Sequence, residues 1–445
     1  MRVLVFHGYM LRGTGSNIYN VNLALALVRQ GHEVHLLCQD REVRPPGVHV
    51  HNPDIGGLLP VYVKDPYPGF EVKLFPELTE AELDRYVEAN VAAVRAVAAE
   101  AGGIDLALAN HLVMGPQILA QAGVAPFAAK IHGSALEYTV KPHPRFLPYA
   151  EGGMRAANGV LVGSRHTAES LWATLPEVDG LEEKTRLGPP GVDVEDFHPA
   201  AQRDSLVVFV GKLIVSKGVD LLLAAWPLVR AAHPQARLRV AGFGAYEAGL
   251  RRLAAALERG DLADAQEVAR LGWALEGERE KALPILSAFL ADPPDGYAEM
   301  ARDAAGSVEF IGRLEHGEVA ELVTGAQALV MPSTFPEAFG MVAAEAAAAG
   351  ALPVSAGHSG MLEVSRQLSE ALPVGVAGLT SFPVGSGTVE AIADRLNRWL
   401  SLPEEERERS RQALVETAGR LWSWDAVAHG VLAAAAGELD GLPFP

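Results

Sequence analysis

Cysteine, basic charge and long hydrophobic runs are all scarce in this chain of 445 residues. A single cysteine, Cys38, excludes an intrachain disulfide and a cysteine-based zinc cluster. The 37 Lys and Arg residues are outnumbered by 55 Asp and Glu residues, and the formal net charge is −18 at pH 7. Such an acidic surface repels a phosphate backbone, so we expect no nucleic-acid partner. No run approaches the roughly 18 apolar residues of a membrane span.

The length and the hydrophobic content predict a folded protein of more than one domain. Hydrophobic residues make up 49% of the chain and charged residues 21%, which excludes an intrinsically disordered protein. At about 150 residues per domain, the chain is long enough for two or three domains. The apolar run at residues 3–6 is shorter than the core of a signal peptide, so we expect a cytoplasmic protein.

Strand and helix patterns alternate along the chain and predict two parallel sheets covered by helices. Residues 3–6 form a short apolar run, residues 18–29 carry apolar side chains at helical spacing, and residues 33–37 predict the next strand. This alternation continues until residues 188–199, which are rich in glycine and proline, and restarts at residues 206–210. The pattern is typical of two doubly wound α/β domains.

The predicted boundary divides the chain into domains at residues 1–195 and 196–424. The helix predicted at residues 425–445 is expected to pack back on the first domain. Residues 246–306 are rich in alanine, glutamate and arginine and poor in β-branched residues. This composition predicts two or three helices inserted into the second domain.

The most informative segment of the second domain reads PEAFGMVAAEAAAAG, from residue 336 to residue 350. It follows a predicted strand, so its first residues form a helix N-terminus whose free N–H groups can bind anions or hydroxyls. Glu345 is the only charged residue of a helix that is otherwise apolar. A buried carboxylate needs a polar partner, which is either a ligand or an arginine of the same domain.

This segment resembles the signature of the retaining glycosyltransferases of family 4. The resemblance runs from residue 1 to about residue 440, apart from residues 246–306 and a weaker stretch after Val364. It implies a GT-B fold, in which an acceptor-side domain and a nucleotide-sugar-binding domain face each other across a cleft. It also implies that Glu337 contacts the transferred sugar and Glu345 holds the ribose. The backbone that would meet the sugar hydroxyls and the diphosphate is that of Ala338, Phe339, Gly340, Met341 and Val342.

A second candidate donor site is the loop that places Lys212 and Lys217 five residues apart, between a predicted strand and a predicted helix. Fixed cations stabilise the charge that develops on a leaving diphosphate. The two lysines resemble the basic pair of the family, which is more often Arg and Lys. The alternative is a pair of solvated loop lysines. Arg313 follows another predicted strand and would border the nucleotide base, or be an ordinary surface arginine.

The first domain carries a glycine-rich loop between its first strand and its first helix, with the sequence GTGSN at residues 13–17. By resemblance, Gly15 approaches the donor phosphate, and Ser16 and Asn17 lie on the acceptor side. The loop is not a dinucleotide fingerprint, because Ile18 stands where the third glycine is required.

His132 and Arg165 each follow a predicted strand of the first domain. By resemblance, His132 faces the donor sugar, and it is a catalytic candidate together with Glu337 and Lys217. Arg165 would approach a charge on the acceptor. The alternatives are a structural histidine and a surface arginine.

Metal binding is not indicated by the sequence. No Asp-x-Asp motif is present, and the four histidines between residues 32 and 51 show no pattern of a third ligand. One departure from the family pattern is Ser359, which replaces one of the two glycines usual in a loop expected near the diphosphate.

These observations predict a retaining glycosyltransferase, here a hexosyltransferase, that uses a nucleotide-diphosphate sugar and requires no cofactor or metal. In the family the leaving phosphate is thought to take the proton of the acceptor hydroxyl. A sugar-nucleotide epimerase of the same architecture, a non-enzymatic bilobal sugar-binding protein and an inactive family member are the alternatives. Residues 1–199 carry more acidic than basic side chains, which favours a soluble small-molecule or glycan acceptor. Peripheral membrane contact and a homodimer stay open.

Overall fold

Short apolar segments of the chain form parallel strands in two separate units. The computed structural model describes residues 1–13, 15–64, 67–200 and 203–445. One unit comprises Met1–Gly191 and Trp422–Pro445, and the other comprises Val192–Leu421. Thr14, in the predicted glycine-rich loop, lies outside the described residues.

The first unit is built on a seven-stranded parallel sheet in the order β3-β2-β1-β6-β7-β8-β9. Its central strands are buried along their whole length, as expected for a sheet with helices on both faces. A separate parallel pair, β4 and β5, was not predicted, because both strands are short, β4 contains a proline and β5 is partly polar. The strands are β1 Arg2–Phe6, β2 Glu33–Leu37, β3 Val48–His51, β4 Leu58–Val61, β5 Glu71–Leu74, β6 Leu106–Asn110, β7 Phe127–Ile131, β8 Gly159–Val162 and β9 Thr185–Leu187.

Six α-helices of the described residues belong to the first unit. They are α1 Gly15–Arg29, α2 Glu80–Glu100, α3 Gly115–Ala122, α4 Leu147–Ala156, α5 Arg165–Thr174 and α17 Trp424–Ala436. The last of these comes from the end of the chain and packs on β6, β7 and β8. Its close approach depends on Gly159, where a Cβ atom would lie 2.6 Å from the Ala434 carbonyl oxygen.

The second unit is built on a six-stranded parallel sheet in the order β12-β11-β10-β13-β14-β15. Its strands are β10 Leu206–Val210, β11 Arg237–Ala241, β12 Val308–Gly312, β13 Ala328–Met331, β14 Leu352–Ala356 and β15 Ser381–Phe382. Its helices outside residues 246–306 are α6 Val219–Ala232, α11 His316–Thr324, α12 Met341–Ala348, α13 Ser359–Ser369, α14 Val374–Ala377, α15 Thr388–Leu400 and α16 Glu404–Leu421.

The segment at residues 246–306 forms four α-helices rather than the two or three predicted. They are α7 Glu247–Glu258, α8 Leu262–Leu271, α9 Pro284–Ala291 and α10 Tyr297–Asp303. The additional break falls at Gly260, whose φ of +65° ends α7 and cannot continue a right-handed helix. Apolar residues at helical spacing identify the helices better than they identify the short turns between them.

Each sheet reverses its strand order once, and this positions the candidate sites. In the first unit the reversal falls between β1 and β6, and in the second it falls between β10 and β13. Loops that leave two such strands turn to opposite faces of the sheet and open a crevice at the carboxyl ends of the strands. The crevice is where open α/β sheets bind their ligands.

Candidate functional site: a lysine–glutamate pair and a buried carboxyl

Two loops at the reversal point of the second sheet are held against each other. The loop after β10 carries Gly218 at a φ of +65°, and a Cβ atom there would overlap the carbonyl oxygen of Pro332 in the loop after β13. The Thr334 N–H donates to the Ser216 carbonyl at 2.9 Å. Only glycine permits this approach, so the glycine fixes the distance between the two loops.

This approach brings together Lys217 and Glu337, which are 120 residues apart in the sequence. The Lys217 ammonium forms an ion pair with Glu337 Oε1, and the Ser333 hydroxyl donates to the same oxygen at 2.8 Å. Both charged side chains are about a quarter exposed. An ammonium has three N–H donors, so Lys217 can hold Glu337 and still bind a phosphate oxygen.

The backbone of Glu337 is anchored to the start of α13. Its N–H donates to Ser359 Oγ at 3.0 Å, and its carbonyl accepts from the Gly360 N–H at 2.9 Å. Ser359 has a φ of +52°, a conformation that favours glycine. The serine that departs from the family pattern therefore contacts the residue predicted to bind the sugar.

The N-terminus of α12 lies directly after this anchored loop. Gly340 is the N-cap residue, with a φ of +101°. Within the described part of the chain, the N–H groups of Met341 and Val342 have no hydrogen-bond partner. The helix behind them is almost wholly buried, so its free N–H groups and its positive dipole end lie beside the Lys217–Glu337 pair.

Glu345 is a buried carboxyl without a partner in this unit. Its side chain lies on α12 and is 5% exposed. Burial raises its pKa to about 7. No arginine or other described residue bonds its carboxylate, so the structure does not contain the intradomain pair that the sequence left open. Hydrogen-bond donors from a ligand would satisfy it.

Two other predicted donor residues lie in neighbouring loops. Lys212 follows Gly211 in the loop after β10 and is partly exposed. Arg313 follows β12, where its guanidinium lies 5.1 Å from the Phe243 ring centre and 3.6 Å from a carboxylate oxygen of Glu315. The structure does not bring Arg313 into contact with the lysine–glutamate pair.

The inserted helices also reach the loop that carries the two lysines. Glu276, in a 3-10 turn between α8 and α9, accepts a hydrogen bond from the Val215 N–H at 2.7 Å. Burial raises the pKa of Glu276. No role for residues 246–306 was predicted from the sequence, and this contact connects them to the candidate donor loop.

His132 follows β7, the strand next to β6 at the reversal point of the first sheet, and lies among groups that the sequence did not single out. Its Nε2 lies 2.8 Å from Asn110 Oδ1, and its ring is 4.9 Å from the ring of His111. Burial, and then the charges that His111 and Lys130 can carry, lower its pKa well below the usual range. The ring is therefore neutral at pH 7.

His7, Asn20, Asn110 and His111 are the residues that sequence reasoning missed here. His7 directly follows β1, and Asn110 and His111 end and follow β6. His111 has a φ of +67°, and neither of its ring nitrogens has a partner among the described residues. The rule that selected His132, a polar residue at the carboxyl end of a strand, would have selected His7, Asn110 and His111 as well, but not Asn20, which lies within α1.

The predicted acceptor-side residues are placed differently from one another. Gly15 is exposed and Ser16 is partly exposed at the start of α1. Asn17 is 2% exposed, and its amide is bonded to the Arg12 carbonyl and to His7, so it faces the interior rather than an acceptor. Arg165 donates to the Pro445 carbonyl at 2.9 Å, so its guanidinium is engaged with the end of the described chain.

Neither a metal cluster nor a membrane-spanning helix is found in the parts of the chain described here. No group of three or more His, Cys, Asp or Glu side chains in residues 1–13, 15–64, 67–200 and 203–445 is arranged to hold a metal ion. In the same residues, every helix is too short or too polar to cross a bilayer.

Two family models match this chain, and together they cover most of it. The model for Glycosyltransferase Family 4 matches residues 13–196, and the model for Glycosyl transferases group 1 matches residues 194–263 and 299–415. The chain belongs to glycosyltransferase family 4. The unmatched residues 264–298 fall inside the helical segment at residues 246–306 that was predicted as an insertion, whereas the two ends of that segment are matched.

Curated relatives of this family 4 enzyme are also glycosyltransferases. A D-inositol 3-phosphate glycosyltransferase of Frankia alni is 27% identical over 94% of this chain and 93% of the relative. A GDP-mannose-dependent monoacylated alpha-(1-6)-phosphatidylinositol monomannoside mannosyltransferase of Corynebacterium glutamicum is 27% identical over 68% of each chain. The enzyme is therefore a transferase of sugars.

Solved structures show that the fold is GT-B. Sucrose-phosphate synthase from Thermosynechococcus elongatus matches 96% of this chain and 96% of its own, with a TM-score of 0.66 and 20% identity. HepE from Anabaena, solved with UDP and glucose, matches 99% and 100% of the two chains with a TM-score of 0.61 and 15% identity. The predicted fold class, two doubly wound parallel-sheet domains, is confirmed.

Proposed function

We propose that this enzyme transfers a sugar from a nucleotide-diphosphate sugar to a hydroxyl acceptor with retention at the anomeric carbon. The proposal is carried by three groups of the second unit: the Lys217 cation, the fixed Glu337 carboxylate and the unpartnered Glu345 carboxyl. A nucleotide sugar offers a complement to each, namely phosphate oxygens, sugar hydroxyls and ribose hydroxyls. HepE, a structural neighbour, was solved with UDP-glucose, which supports the same ligand class.

The diphosphate is assigned to Lys217, Lys212 and the free N–H groups of Met341 and Val342. Glu337, held by Lys217 and Ser333, accepts hydrogen bonds from the sugar hydroxyls. Glu345 accepts hydrogen bonds from the ribose hydroxyls, which stabilise its ionised form and lower its pKa on binding. The first unit, with His132, is assigned to the acceptor side and to contact with the transferred sugar.

In the proposed reaction the bond between the anomeric carbon and the phosphate oxygen breaks, and a bond to the acceptor oxygen forms on the same face. The acceptor proton passes to the leaving phosphate, so the reaction needs no side-chain nucleophile. Lys217 stabilises the negative charge that grows on the phosphate, and this contact is stronger in the transition state than in the bound substrate. No metal or cofactor is assigned to the site, so we expect turnover to persist in excess chelator.

A donor and acceptor screen tests this function directly. UDP-glucose and GDP-mannose are the first donors to try, since names of a neighbour and of a relative contain them. Acceptors should include inositol phosphates, because the relatives in Frankia and Corynebacterium are named for inositol-containing acceptors. Mass spectrometry of the products distinguishes transfer to an acceptor from epimerisation, and proton NMR gives the anomeric configuration. An isomerised nucleotide sugar, or an inverted product, would refute the proposal.

Two variants test the assignment of the carboxylates. Glu345→Ala should mainly weaken nucleotide binding, whereas Glu337→Gln should mainly lower kcat, because its interactions are made with the reacting sugar. Glu370→Gln, an exposed carboxylate of the same unit, is the matched control and should leave both unchanged. Wild-type kinetics in both site variants would remove the basis of the assignment.

A further inference from the structure

Five polar side chains of the first unit form one hydrogen-bonded chain that ends at His132. His132 Nε2 lies 2.8 Å from Asn110 Oδ1, and Asn110 Nδ2 donates to Asn20 Oδ1 at 2.7 Å. Asn20 Nδ2 lies 3.0 Å from His7 Nδ1, and His7 Nε2 lies 2.8 Å from Asn17 Oδ1. The three asparagines and His7 are all at most 2% exposed.

Contacts with backbone carbonyls determine which atom donates in each hydrogen bond of this side-chain series. A carbonyl oxygen can only accept, so an amide group that contacts one must present its nitrogen. Each asparagine makes such a contact, which fixes its orientation independently of the histidines. The contacts are Asn110 Nδ2 to the Phe6 carbonyl at 3.1 Å, Asn20 Nδ2 to the Ser16 carbonyl at 2.8 Å and Asn17 Nδ2 to the Arg12 carbonyl at 2.6 Å.

These donor assignments determine which ring nitrogens carry protons. Asn110 presents its oxygen to His132, so Nε2 of His132 must donate and therefore carries the proton. Asn20 presents its nitrogen to His7 Nδ1, and His7 Nε2 faces only acceptors, namely Asn17 Oδ1 and the Met10 carbonyl. Both rings are thus held as the same tautomer.

The His132 ring is neutral, because burial and the nearby charges lower its pKa. A neutral ring protonated at Nε2 carries a lone pair at Nδ1. That atom has no hydrogen-bond partner among the described residues. It can accept a hydrogen bond, but it repels the oxygens of a phosphate or a carboxylate.

We propose that Asn110, Asn20, His7 and Asn17 are positioning residues that fix His132 as an acceptor, so that its Nδ1 selects a carbohydrate hydroxyl and rejects anionic oxygen. This inference rests on the proposed function for the identity of the ligand. The tautomer does not depend on that function, because it follows from contacts within the protein. A flipped Asn110 would place its oxygen against two acceptors, the Phe6 carbonyl and Asn20 Oδ1.

Nitrogen-15 NMR of histidine-labelled protein tests the tautomer. At pH 7.5 the two-bond correlations of His132 and His7 should each show protonated Nε2 and bare Nδ1, with His132→Ala and His7→Gln used to assign the signals. An imidazolium signal, or protonated Nδ1 at His132 in the wild type, would overturn the proposal without reference to any activity.

Substitution of Asn110 tests the positioning role. Asn110→Leu removes the acceptor for Nε2, so the His132 signals should become a mixture of tautomers and kcat/KM should fall at least tenfold. Asn110→Asp keeps an acceptor facing Nε2, so Nε2 should stay protonated, although the second carboxyl oxygen then faces the Phe6 carbonyl and Asn20 Oδ1. The matched control is Asn90→Leu. Asn90 is also 1% exposed in the same unit, but it does not belong to the hydrogen-bonded chain that ends at His132. An equal loss in Asn90→Leu, or an unchanged tautomer in Asn110→Leu, would contradict the inference.

Fluorinated donors test the selection of a hydroxyl. Fluorine replaces a hydroxyl in size but does not donate a hydrogen bond. Among singly fluorinated analogues of UDP-glucose or GDP-mannose, whichever donor is active, one position should lower kcat/KM at least tenfold in the wild type and much less in His132→Ala. Equal losses in the two proteins at every position would refute the assigned contact. Absence of transfer from every donor would refute the proposed function and leave the tautomer result standing.

Discussion

Replacing Glu345 by glutamine should change how the stability of the second unit depends on pH. The carboxyl has a pKa of about 7 in the fold, against 4.5 for the free group. The folded state therefore holds its proton more tightly than the unfolded state, and ionisation opposes folding. The free energy of unfolding should fall as the pH rises from about 4.5 to about 7 and then level off.

The size of the effect follows from the pKa difference. At about 1.4 kcal/mol per unit of pKa, ionisation of Glu345 costs roughly 3 kcal/mol above pH 7 and less than about 1 kcal/mol at pH 5. Glu345→Gln does not ionise, so its stability relative to the wild type should rise by roughly 2 to 3 kcal/mol between pH 5 and pH 8. For a unit of this size that is a shift in Tm of roughly 5 to 10 °C.

Urea denaturation of both proteins at several pH values between 5 and 8.5 measures this difference. The comparison cancels the constant cost of burying the glutamine amide, and it cancels Asp220, whose pKa burial also raises to about 7, because Asp220 is present in both proteins. The exposed Glu370→Gln should reproduce the wild-type curve. Parallel stability curves for the wild type and Glu345→Gln would refute the conclusion that this carboxyl is buried without a partner.

Three further predictions concern the loop that carries Lys217. In steady-state kinetics, Lys217→Met should lower kcat by roughly two orders of magnitude or more, which is the usual loss when one preorganised group that stabilises transition-state charge is removed. A change in KM alone would argue against this role. Glu276→Ala leaves the Val215 N–H without its acceptor and should raise the KM for the donor several-fold. Glu278 is exposed in the same segment, and Glu278→Ala should not change this KM. Equal KM values in the two variants would show that the inserted helices do not affect donor binding. Gly218→Ala places a Cβ atom on a carbonyl oxygen at a positive φ, and chemical denaturation should show that it destabilises the second unit by at least ~2 kcal/mol. The control Gly385→Ala, at a position with open space around it, should cost under ~1 kcal/mol. Similar losses in the two variants would show that the close approach is not required.

The sequence predicted Lys217, Glu337 and Glu345 as site residues from their resemblance to the family pattern. Each of them lies in or after a loop that leaves a strand at its carboxyl end, and such loops can be predicted from local patterns. The ion pair between Lys217 and Glu337 was not predictable in the same way. It requires β10 and β13 to be neighbours in the sheet, although α6, β11, β12 and the inserted helices separate them in the sequence.

The hydrogen-bonded chain behind His132 shows the same limit more strongly. His7 follows β1, Asn20 lies within α1 and Asn110 ends β6, so only the packing of these elements brings the three side chains together. Asn17 was assigned to the acceptor because it lies in a glycine-rich loop, yet helix α1 turns its side chain inward to His7. Local sequence identifies which residues start a helix, but the packing of the helix decides which of them face the interior.

Ser359 shows how a departure from a family pattern can be interpreted once the backbone is known. The family pattern that this loop resembles has glycine here, and at a φ of +52° a side chain costs roughly 1 kcal/mol. Serine is more than a tolerated replacement, because its Oγ accepts the Glu337 N–H at 3.0 Å, and such a hydrogen bond contributes about 1 kcal/mol. The two terms offset each other. The serine therefore holds the backbone of Glu337, the carboxylate proposed to bind the sugar, while the loop keeps a conformation that glycine adopts, so this departure gives no reason to regard the enzyme as inactive.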